Sequence, residues 1–424
     1  MRILFISNYY PPYEVGGYEQ LCQEVASRLT ERGHQVAVLT SRPEPRGKPV
    51  VEDNVYRVLT LEVDWRLPVS AWQQFFFGRK RREAENLAWF DQVVAEFDPQ
   101  AILVWNAREL HRSLLQQAEN LPSAGVVYWL AGYSPAEPDQ FTCYWQSRAQ
   151  KGYKTWPKKL VGALALRMLA AEGRPVRLRL EHVLCVSAAF RDSQVQAGLL
   201  PPHSRVVYNG IDLEQFPFCV RHDRAPQDGE PLRLLYAGRL APEKGVHTAI
   251  EAVGHLVRQV GLQNVYLLVV GSGPQPYRDR LADLRCSLHL EEQVEFRDWV
   301  SREEMPGLMR QFDVLVLPSI YDEPLARIVQ EAMATGLVVV GTLTGGTKEI
   351  LVDEVNGLAF PPGDASALAA QIARLAGDPG LRLALAQNGR CTVEEKFSLT
   401  RMVDEMEGYF RDIMRDNIPV AGKR

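Results

Sequence analysis

The stretch LRLLYAGRLAPEKG, residues 232–245, contains the pattern that decides the fold. Its first six residues are mostly apolar, and Gly238 and Arg239 follow them directly. A short apolar run that stops at a glycine before a helical stretch predicts a buried parallel strand, since helices cover such strands on both faces. We therefore expect a strand, a loop and a helix here, which form the first part of a βαβ unit.

The same alternation continues towards the C-terminus. Further strands are predicted at residues 265–270, 294–296, 314–317 and 338–341, and helices at 365–375 and 381–387. Strands that alternate with helices predict a parallel sheet with right-handed crossovers. We expect residues 232–399 to form one domain whose ligand site lies at the carboxyl ends of its strands.

The N-terminal half shows the pattern as well. Strands are predicted at residues 2–7, 35–40, 101–105, 126–130 and 182–186, and a helix at 19–32, where Leu21, Val25 and Leu29 recur at helical spacing. We expect a first domain at residues 1–208, a proline-containing linker at 209–231, and a C-terminal helix at 400–424 that packs back on the first domain. The predicted fold class is α/β, with two Rossmann-like domains facing each other across a cleft.

The composition excludes several classes of protein. Of the 424 residues 46% are apolar, and the net charge of −4 does not suggest nucleic-acid binding. The six cysteines form no C-x-x-C pair, so neither a disulfide framework nor a zinc site is expected. We expect no secretion signal in the stretch at residues 1–12, whose apolar run is short, and no membrane span in the longest apolar run, which is interrupted by Arg167. We expect a cytoplasmic protein, and no sequence signal indicates its oligomeric state.

Gly16 and Gly17 lie in the loop after the first predicted strand and before a helix. Glycines at this position let the backbone approach a ligand closely, and a helix N-terminus favours an anion. A simple turn is the alternative explanation. The G-x-G-x-x-G spacing of dinucleotide-binding enzymes is absent, so an NAD enzyme is not favoured.

Two cations follow the strand at 232–237, in the loop that begins at Gly238. Arg239 offers a planar fork of donors and Lys244 a compact charge, and together they suit a diphosphate. A solvated charged loop is the alternative.

Glycines also follow two other strands of this half, and a plain strand-to-helix turn remains open for the first pair, Gly271 and Gly273. Gly271 and Gly273 predict a tight turn close to a ligand. Gly345 and Gly346 precede a helix and predict a third contact with phosphate or sugar.

The stretch from Glu323 to Glu331 suggests a pair of functional carboxylates. Pro324 fits the first turn of a helix, and residues eight apart lie near one helix face. Glu323 is therefore expected at the mouth of a helix, where it could meet a sugar, and Glu331 deeper along the same face. Two surface glutamates are the alternative, but the largely apolar run 326–340 indicates a buried helix.

Eight separate segments resemble the retaining glycosyltransferases of family 4, which have the GT-B fold, and they occur in the order found in that family. They are PPYEVGGYEQL, VVYNGIDLEQF, YAGRLAPEKG, VVGSGP, DVLVLPS, EPLARIVQEAMATG, GGTKEI and NGLAFPPGD. The resemblance covers nearly the whole chain. It implies transfer of a sugar from a nucleoside diphosphate sugar to a hydroxyl group, with retention of anomeric configuration and without a metal or cofactor.

The resemblance also implies roles for individual residues. The catalytic residues would be Glu323, Arg239 and Lys244. The donor would be bound by Gly16, Gly17, Gly238, Gly271, Gly273, Arg297, Asp298, Trp299, Pro324, Leu325, Ala326 and Glu331, with the ribose at Glu331 and the base near residues 297–300. The acceptor side would include Tyr13, Ala131, Gly132 and Tyr133.

One departure from the family pattern concerns the acceptor side. Many members carry a histidine, often followed by aspartate, where this chain has Ala131 and Gly132. His111 follows the preceding strand and is not an obvious substitute. In the mechanism usually drawn for the family, the leaving phosphate helps to deprotonate the acceptor, so activity without the histidine is conceivable. A sugar-nucleotide-binding protein without catalysis, or another GT-B enzyme such as a phosphorylase or an epimerase, are the alternatives.

Two segments in which basic residues alternate with apolar ones bear on the chemical class of the acceptor. Residues 148–180 contain nine Lys or Arg and one acid, Glu172, and a second basic run at 79–82 follows three phenylalanines. Such segments can lie on an anionic membrane, bind an acidic acceptor, or form a solvated helix face. A lipid-linked or membrane-associated glycan is therefore one candidate acceptor, with the protein peripheral at the inner membrane surface.

Overall fold

The structure is a computed structural model that describes residues 1–13, 16–148, 155–219 and 230–416. The described residues form two compact units. Unit 1 contains residues 1–186, 191–207 and 403–416, and unit 2 contains residues 187–190 and 208–402. Residues 209–219, in the predicted linker, belong to unit 2, where Phe216 is fully buried. Residues 220–229 of that linker and 417–424 of the C-terminal segment lie outside the described residues.

Unit 1 is built on an eight-stranded sheet with the order β3-β4-β2-β1-β5-β6-β7-β8. The strands are β1 Arg2–Ser7, β2 Gln35–Ser41, β3 Val50–Glu52, β4 Val55–Leu59, β5 Ala101–Asn106, β6 Gly125–Leu130, β7 His182–Cys185 and β8 Arg205–Val206. All neighbours are parallel except β3 and β4. The five predicted strands of this half are confirmed, whereas β3, β4 and β8 were not predicted.

The helices of unit 1 are α1 Gly17–Glu31, α2 Ala71–Phe97, α3 Arg112–Glu119, α4 Gln140–Gln146 and α5 Thr155–Ala171. Helix α6, Ala188–Gln196, begins in unit 2 and ends in unit 1. The last helix, α14 Leu399–Asp416, belongs to unit 1 from Val403 onward. There Glu407 accepts hydrogen bonds from Arg32 and His34, each at 3.0 Å. No helix in the described part of the chain is both long and apolar enough to cross a membrane.

Unit 2 contains a six-stranded parallel sheet with the order β11-β10-β9-β12-β13-β14. Its strands are β9 Leu232–Ala237, β10 Val265–Val270, β11 Val294–Arg297, β12 Val314–Leu317, β13 Val338–Gly341 and β14 Leu358–Ala359. Its helices are α7 Val246–His255, α8 Gln275–Ser287, α9 Met305–Met309, α10 Arg327–Thr335, α11 Thr347–Ile350, α12 Ala365–Gly377 and α13 Pro379–Lys396. Strands β12 and β13 are buried along their whole length, as expected for a sheet covered on both faces.

Each sheet has a point at which the direction of strand addition reverses. In unit 2 the chain runs from β9 to β10 and β11 on one side, and then returns to place β12 on the other side of β9. In unit 1 the strand β1 lies between β2 and β5 in the same way. Loops that leave such neighbouring strands diverge, and the crevice at their carboxyl ends is where open parallel sheets bind ligands.

Candidate functional site

The loops after β9 and β12 bring Lys244 and Glu323 into contact. The Nζ atom of Lys244 lies 2.7 Å from Oε1 of Glu323, and only 19% and 6% of the two side chains are exposed. The backbone N–H of Ile320 donates to the carbonyl of Glu243 at 2.9 Å and joins the two loops. A largely buried ion pair therefore occupies the reversal point of the unit 2 sheet.

Three donors hold the Glu323 carboxylate in one orientation. Besides Lys244, the hydroxyls of Ser319 and Tyr321 each donate to it at 2.6 Å. Burial, followed by the charge of Glu323, raises the pKa of Tyr321 well above its usual range, so this hydroxyl stays protonated and can donate. Lys244 also donates to the Tyr321 hydroxyl at 2.9 Å. Because charge-assisted hydrogen bonds are the strong ones, the position of this carboxylate is well defined.

Arg239 lies near this cluster but presents its guanidinium to solvent. Its side chain is 71% exposed, and its nearest acidic contact is Glu243 at 3.7 Å. Its charge opposes the rise in the pKa of Tyr321, which places it within electrostatic reach of the Lys244–Glu323 pair. The planar fork of Arg239 is thus accessible to an anion beside the reversal point.

The predicted helix start at Pro324 is wrong. Helix α10 begins three residues later, at Arg327. The carbonyl of Glu323 accepts from the N–H of Gly346, and the carbonyl of Pro324 accepts from the hydroxyl of Ser187, each at 2.6 Å. These donors engage the backbone before a helix can form, so Glu323 and Glu331 do not share one helix face.

Glu331 lies within α10 and is held by two arginines. Its Oε1 atom is 2.7 Å from Nη1 of Arg302 and 3.2 Å from Nε of Arg327. Only 9% of its side chain is exposed. The carboxylate is thus partnered within the chain, and the two arginines compensate the cost of its burial.

The glycines of the unit 2 loops let these loops pack against one another. A Cβ atom on Gly271 would lie 1.9 Å from the carbonyl oxygen of Gly238, and one on Gly273 would lie 2.0 Å from that of Leu240. A Cβ atom on Gly346 would likewise lie 2.0 Å from the carbonyl oxygen of Pro324. Each value is far below van der Waals contact, so a side chain would separate the loops that present Lys244 and Glu323.

A cavity of about 210 Å³ lies at the carboxyl ends of β10 and β11. It contains three of the predicted donor-binding residues, Gly271, Arg297 and Asp298. The remaining lining residues are Leu240, Gln275, Arg278, Asp279, Ala282 and Phe296. Trp299 does not line the cavity and is 62% exposed.

Gly16 and Gly17 begin helix α1 at the carboxyl end of β1. A Cβ atom on Gly16 would meet nothing within 4 Å, so packing within unit 1 does not require this glycine. The N–H of Gly16 donates to the carboxylate of Glu19 at 3.1 Å. The structure thus leaves space for a close approach, but a carboxylate already occupies part of the helix N-terminus.

The other predicted residues of unit 1 lie beyond the strands β1 and β6. Ala131 and Gly132 directly follow β6, and Gly132 is exposed. Tyr133 is buried, and its hydroxyl accepts from the N–H of Ala107 at 2.8 Å. Tyr13 is 46% exposed, with the guanidinium of Arg57 5.4 Å from its ring centroid. Burial raises the pKa of Tyr133 well above its usual range, so it cannot act as a base near neutral pH.

Known protein families match both halves of the chain. Residues 15–215 match the model described as Glycosyltransferase Family 4, and residues 221–392 match the model described as Glycosyl transferases group 1. An uncharacterized glycosyltransferase of Methanocaldococcus jannaschii is 25% identical over an alignment of 424 positions, which covers 98% of this chain and 99% of that protein.

Solved structures share the fold over nearly the whole chain. Sucrose-phosphate synthase from Thermosynechococcus elongatus has a TM-score of 0.72 at 20% identity and covers 98% of this chain and 99% of its own. HepE from Anabaena, solved in complex with UDP-glucose, has a TM-score of 0.67 at 21% identity, with coverage of 97% and 100%. The chain is a glycosyltransferase with the GT-B fold.

Sequence reasoning did not identify two residues at the centre of this glycosyltransferase. Ser319 and Tyr321 hold Glu323, yet neither was assigned a role. A signal was present, because both residues lie in the loop after β12, which leaves the reversal point of the sheet. Arg302 was also missed, since 29 positions separate it from Glu331, to which it is bonded.

His111, which the sequence does not favour as a substitute for the missing histidine, is fully buried in the glycosyltransferase structure. Its Nδ1 atom lies 4.0 Å from Oε1 of Glu62, which is also buried. Burial, followed by the charge of Arg174, lowers the pKa of His111 to about 3. Burial, followed by the charge of Asp139, raises the pKa of Glu62 to about 8. Near neutral pH both groups are therefore uncharged, and they form no ion pair.

The replacement Glu62→Gln is expected to change how the stability of the enzyme depends on pH. An unfolded glutamate has a pKa of about 4.3, whereas that of Glu62 is about 8 when folded. Between these values the folded protein keeps a proton that the unfolded chain has lost, so rising pH lowers the stability of the wild type. Relative to Glu62→Gln, we expect a loss on the order of 2–4 kcal/mol between pH 5 and 8, since each pKa unit corresponds to about 1.4 kcal/mol.

Thermal unfolding of both proteins across this pH range measures the effect. His111 contributes in the opposite direction and at lower pH, because the stability that its lowered pKa provides is lost as pH falls from about 6.5 towards 3. Since both proteins contain His111, its contribution cancels in the comparison. Parallel melting curves from pH 5 to 8 would contradict the prediction.

Proposed function

We propose that the enzyme transfers a hexosyl group from a nucleoside diphosphate sugar to a hydroxyl acceptor with retention of anomeric configuration. The observation that carries the proposal is the buried Lys244–Glu323 pair at the reversal point of the unit 2 sheet, with Arg239 exposed beside it. An anionic leaving group is expected where cations meet the carboxyl ends of parallel strands.

Arg239 and Lys244 neutralise the diphosphate as it leaves in the proposed reaction. The bond between the anomeric carbon and the diphosphate oxygen breaks, and a bond from that carbon to the acceptor oxygen forms on the same face. The acceptor proton passes to an oxygen of the leaving phosphate. Glu323 keeps Lys244 in place and lies beside the donor sugar, which agrees with the three donors that fix its carboxylate.

The cavity beside β10 and β11 is proposed to hold the base of the donor. It combines the aromatic Phe296 with the polar side chains of Arg278, Arg297 and Asp298, a combination typical of small-molecule sites. Leu240 in its lining belongs to the same loop as Arg239 and Lys244, so we propose that one ligand extends from the cavity to these two cations. The GT-B neighbour HepE, solved with UDP-glucose, supports a nucleotide sugar as donor.

Further parts of the proposal concern the acceptor, the cofactor and the location. We propose that the acceptor side includes Tyr13, Ala131, Gly132 and Tyr133, as the family resemblance implies. Since Arg239 and Lys244 supply the positive charge, we propose that the reaction needs neither a metal nor another cofactor. All six cysteines are free thiols, which supports a reducing, cytoplasmic location.

A panel of nucleoside diphosphate sugars tests the proposed function. We expect one donor to raise the melting temperature, because a ligand that binds only the folded state stabilises it. The same donor should be hydrolysed slowly in water and transferred to a hydroxyl acceptor, with the anomeric configuration of the product determined by NMR. Inversion, or loss of activity in EDTA, would overturn the corresponding part of the proposal.

A second candidate function is binding of a sugar nucleotide without catalysis. The alanine and glycine at positions 131 and 132, where the family often carries a histidine and an aspartate, favour this candidate. This second function is supported if a donor raises the melting temperature of the protein but is neither hydrolysed nor transferred. Conversion of the donor to another sugar nucleotide would instead indicate an epimerase.

Glu331 is expected to contact the ribose of the donor, and a deoxyribose donor tests this role. Removing a ribose hydroxyl should raise the KM of the wild type about tenfold, as expected for one lost charge-assisted hydrogen bond. In Glu331→Gln the same deoxy donor should be penalised much less, because the interacting carboxylate is gone. Equal penalties in both proteins would assign Glu331 solely to holding Arg302 and Arg327.

A further inference from the structure

Unit 1 contains a small apolar cluster that is separate from the sheet core. Helices α2, α4 and α5 meet there, and the ring centroids of Phe75 and Trp145 lie 5.6 Å apart. The buried members are Val63, Ala71, Phe75, Phe141, Trp145, Ala165 and Leu169. One face of α5 packs against this cluster, and the other face does not.

Helix α5 is apolar on its packed face and on its exposed face. Ala165 and Leu169 are buried in the cluster, whereas Trp156, Leu160 and Leu164 are 74%, 63% and 56% exposed. The three exposed residues are spaced by four and form one stripe along the helix. A surface helix normally carries polar residues on its solvent side, so this stripe requires another partner.

Neighbouring parts of the cluster also expose large aromatic side chains. On α2, Phe77 is 81% and Trp72 is 44% exposed, and their ring centroids lie 6.4 Å apart. Trp65, whose ring centroid is 6.5 Å from that of Tyr144 on α4, is 68% exposed. The described part of the chain has fifteen exposed large hydrophobic residues, and seven of them lie at residues 65–77 and 156–164. The seven are Trp65, Trp72, Phe77, Trp156, Leu160, Val161 and Leu164. Such concentration indicates an interaction surface rather than scattered exposure.

The charge around these side chains identifies the kind of partner. Lys80, Arg81, Lys159 and Arg167 are exposed among them. No Asp or Glu occurs at residues 71–82 or 155–171. The neighbouring acid, Glu172, is bound by Arg79 at 2.5 Å and by Lys80 at 3.0 Å. Glu172 neutralises only part of this charge, so the surface combines aromatic and aliphatic groups with an excess of positive charge.

We propose that this surface docks on an anionic lipid bilayer. We call it the α2–α5 surface, and it consists of Trp72, Phe77, Lys80, Arg81, Trp156, Lys159, Leu160, Leu164 and Arg167. The apolar side chains enter the headgroup region, where tryptophan is favoured, and the cations contact lipid phosphates. A second copy of the chain fits less well, because it would oppose cations with cations. The inference goes beyond the proposed function, since it concerns attachment and not the chemistry of transfer.

Sedimentation with vesicles tests the proposal on the full chain. The vesicles are phosphatidylcholine alone, or phosphatidylcholine mixed with phosphatidylglycerol. We expect binding to the anionic vesicles that weakens with salt, and at least tenfold weaker binding to neutral ones. Trp156→Ser/Leu164→Ser and Lys159→Glu/Arg167→Glu should each weaken binding about tenfold or more, and melting curves test whether each variant is folded.

A matched control replaces two exposed hydrophobic residues of unit 2. Val260→Ser/Val355→Ser removes side chains that are 52% and 53% exposed, and binding should stay unchanged. Equal binding to neutral and anionic vesicles, or wild-type binding by both α2–α5 variants, would overturn the proposal. A concentration-dependent dimer that Trp156→Ser/Leu164→Ser abolishes would instead assign the surface to a second copy. Because vesicle binding is measured without a sugar donor, its failure is distinguishable from failure of the proposed transferase activity.

Discussion

The replacement Glu323→Gln is expected to lower kcat by about two to three orders of magnitude, while the KM for the donor changes little. Glutamine keeps the size of the side chain but removes the negative charge of the carboxylate, to which Lys244, Ser319 and Tyr321 donate hydrogen bonds. The Lys244 ammonium then loses its counterion but stays charged, so it still binds the donor diphosphate, whereas its position in the transition state is less well fixed. Loss of one preorganised electrostatic contact typically costs about 10²–10³ in kcat.

Lys244→Ala should affect both kcat and KM, because Lys244 is proposed to bind the diphosphate before and during transfer. Steady-state kinetics with the identified donor separates the two variants, and melting curves verify that each is folded. A suitable control is Glu354→Gln, a surface carboxylate that is 51% exposed and paired with Arg374. Wild-type kinetics in either site variant would refute the assignment of this pair to the reaction.

Gly245→Ala is expected to destabilise unit 2 strongly. Gly245 has φ +67°, and a Cβ atom on it would lie 1.9 Å from the carbonyl oxygen of Pro318. The backbone conformation costs an alanine about 1–2 kcal/mol, and forced overpacking adds about 1–3 kcal/mol. At about 2–4 °C for each kcal/mol, the unfolding transition of unit 2 should fall by roughly 4–20 °C.

Gly261→Ala is the matched control for this effect. Gly261 has φ +78° in the same unit, but a Cβ atom on it would meet nothing within 4 Å. Only the backbone term of about 1–2 kcal/mol applies, so the transition should fall by a few degrees. Similar melting temperatures for the two variants would show that the contact between Gly245 and Pro318 does not restrict the loops.

The predicted parallel strands demonstrate what local pattern can achieve. The runs at 232–237, 265–270, 314–317 and 338–341 match β9, β10, β12 and β13 residue for residue. A strand that is buried on both faces is apolar along its length, and a glycine often follows it. The sequence signal for such a strand therefore lies within a few neighbouring residues. Strand β3 was missed because it has three residues. Asp53 and Asn54, with φ of 48° and 63°, form the turn to β4 and are a recognisable hairpin signal.

The helix at Glu323 shows where local pattern fails. Proline is common in the first turn of a helix, and the sequence after Pro324 is largely apolar, as expected for a buried helix. In the structure α10 nevertheless begins at Arg327, because Gly346 and Ser187 donate hydrogen bonds to the carbonyls of Glu323 and Pro324. Ser187 lies 137 positions away from Pro324. Hydrogen bonds from such distant residues leave no trace in the local sequence.

The sequence by itself determined the two parallel α/β units, the family resemblance and most of the residues proposed to bind the donor. Strand burial and loop position are set by neighbouring residues, so they can be recognised along the chain. Only the tertiary structure decided which groups hold Glu323 and Glu331, that the loop glycines serve packing between loops, and that His111 is buried. These facts depend on contacts between residues far apart in the chain, whose geometry is fixed only when the sheets and helices pack.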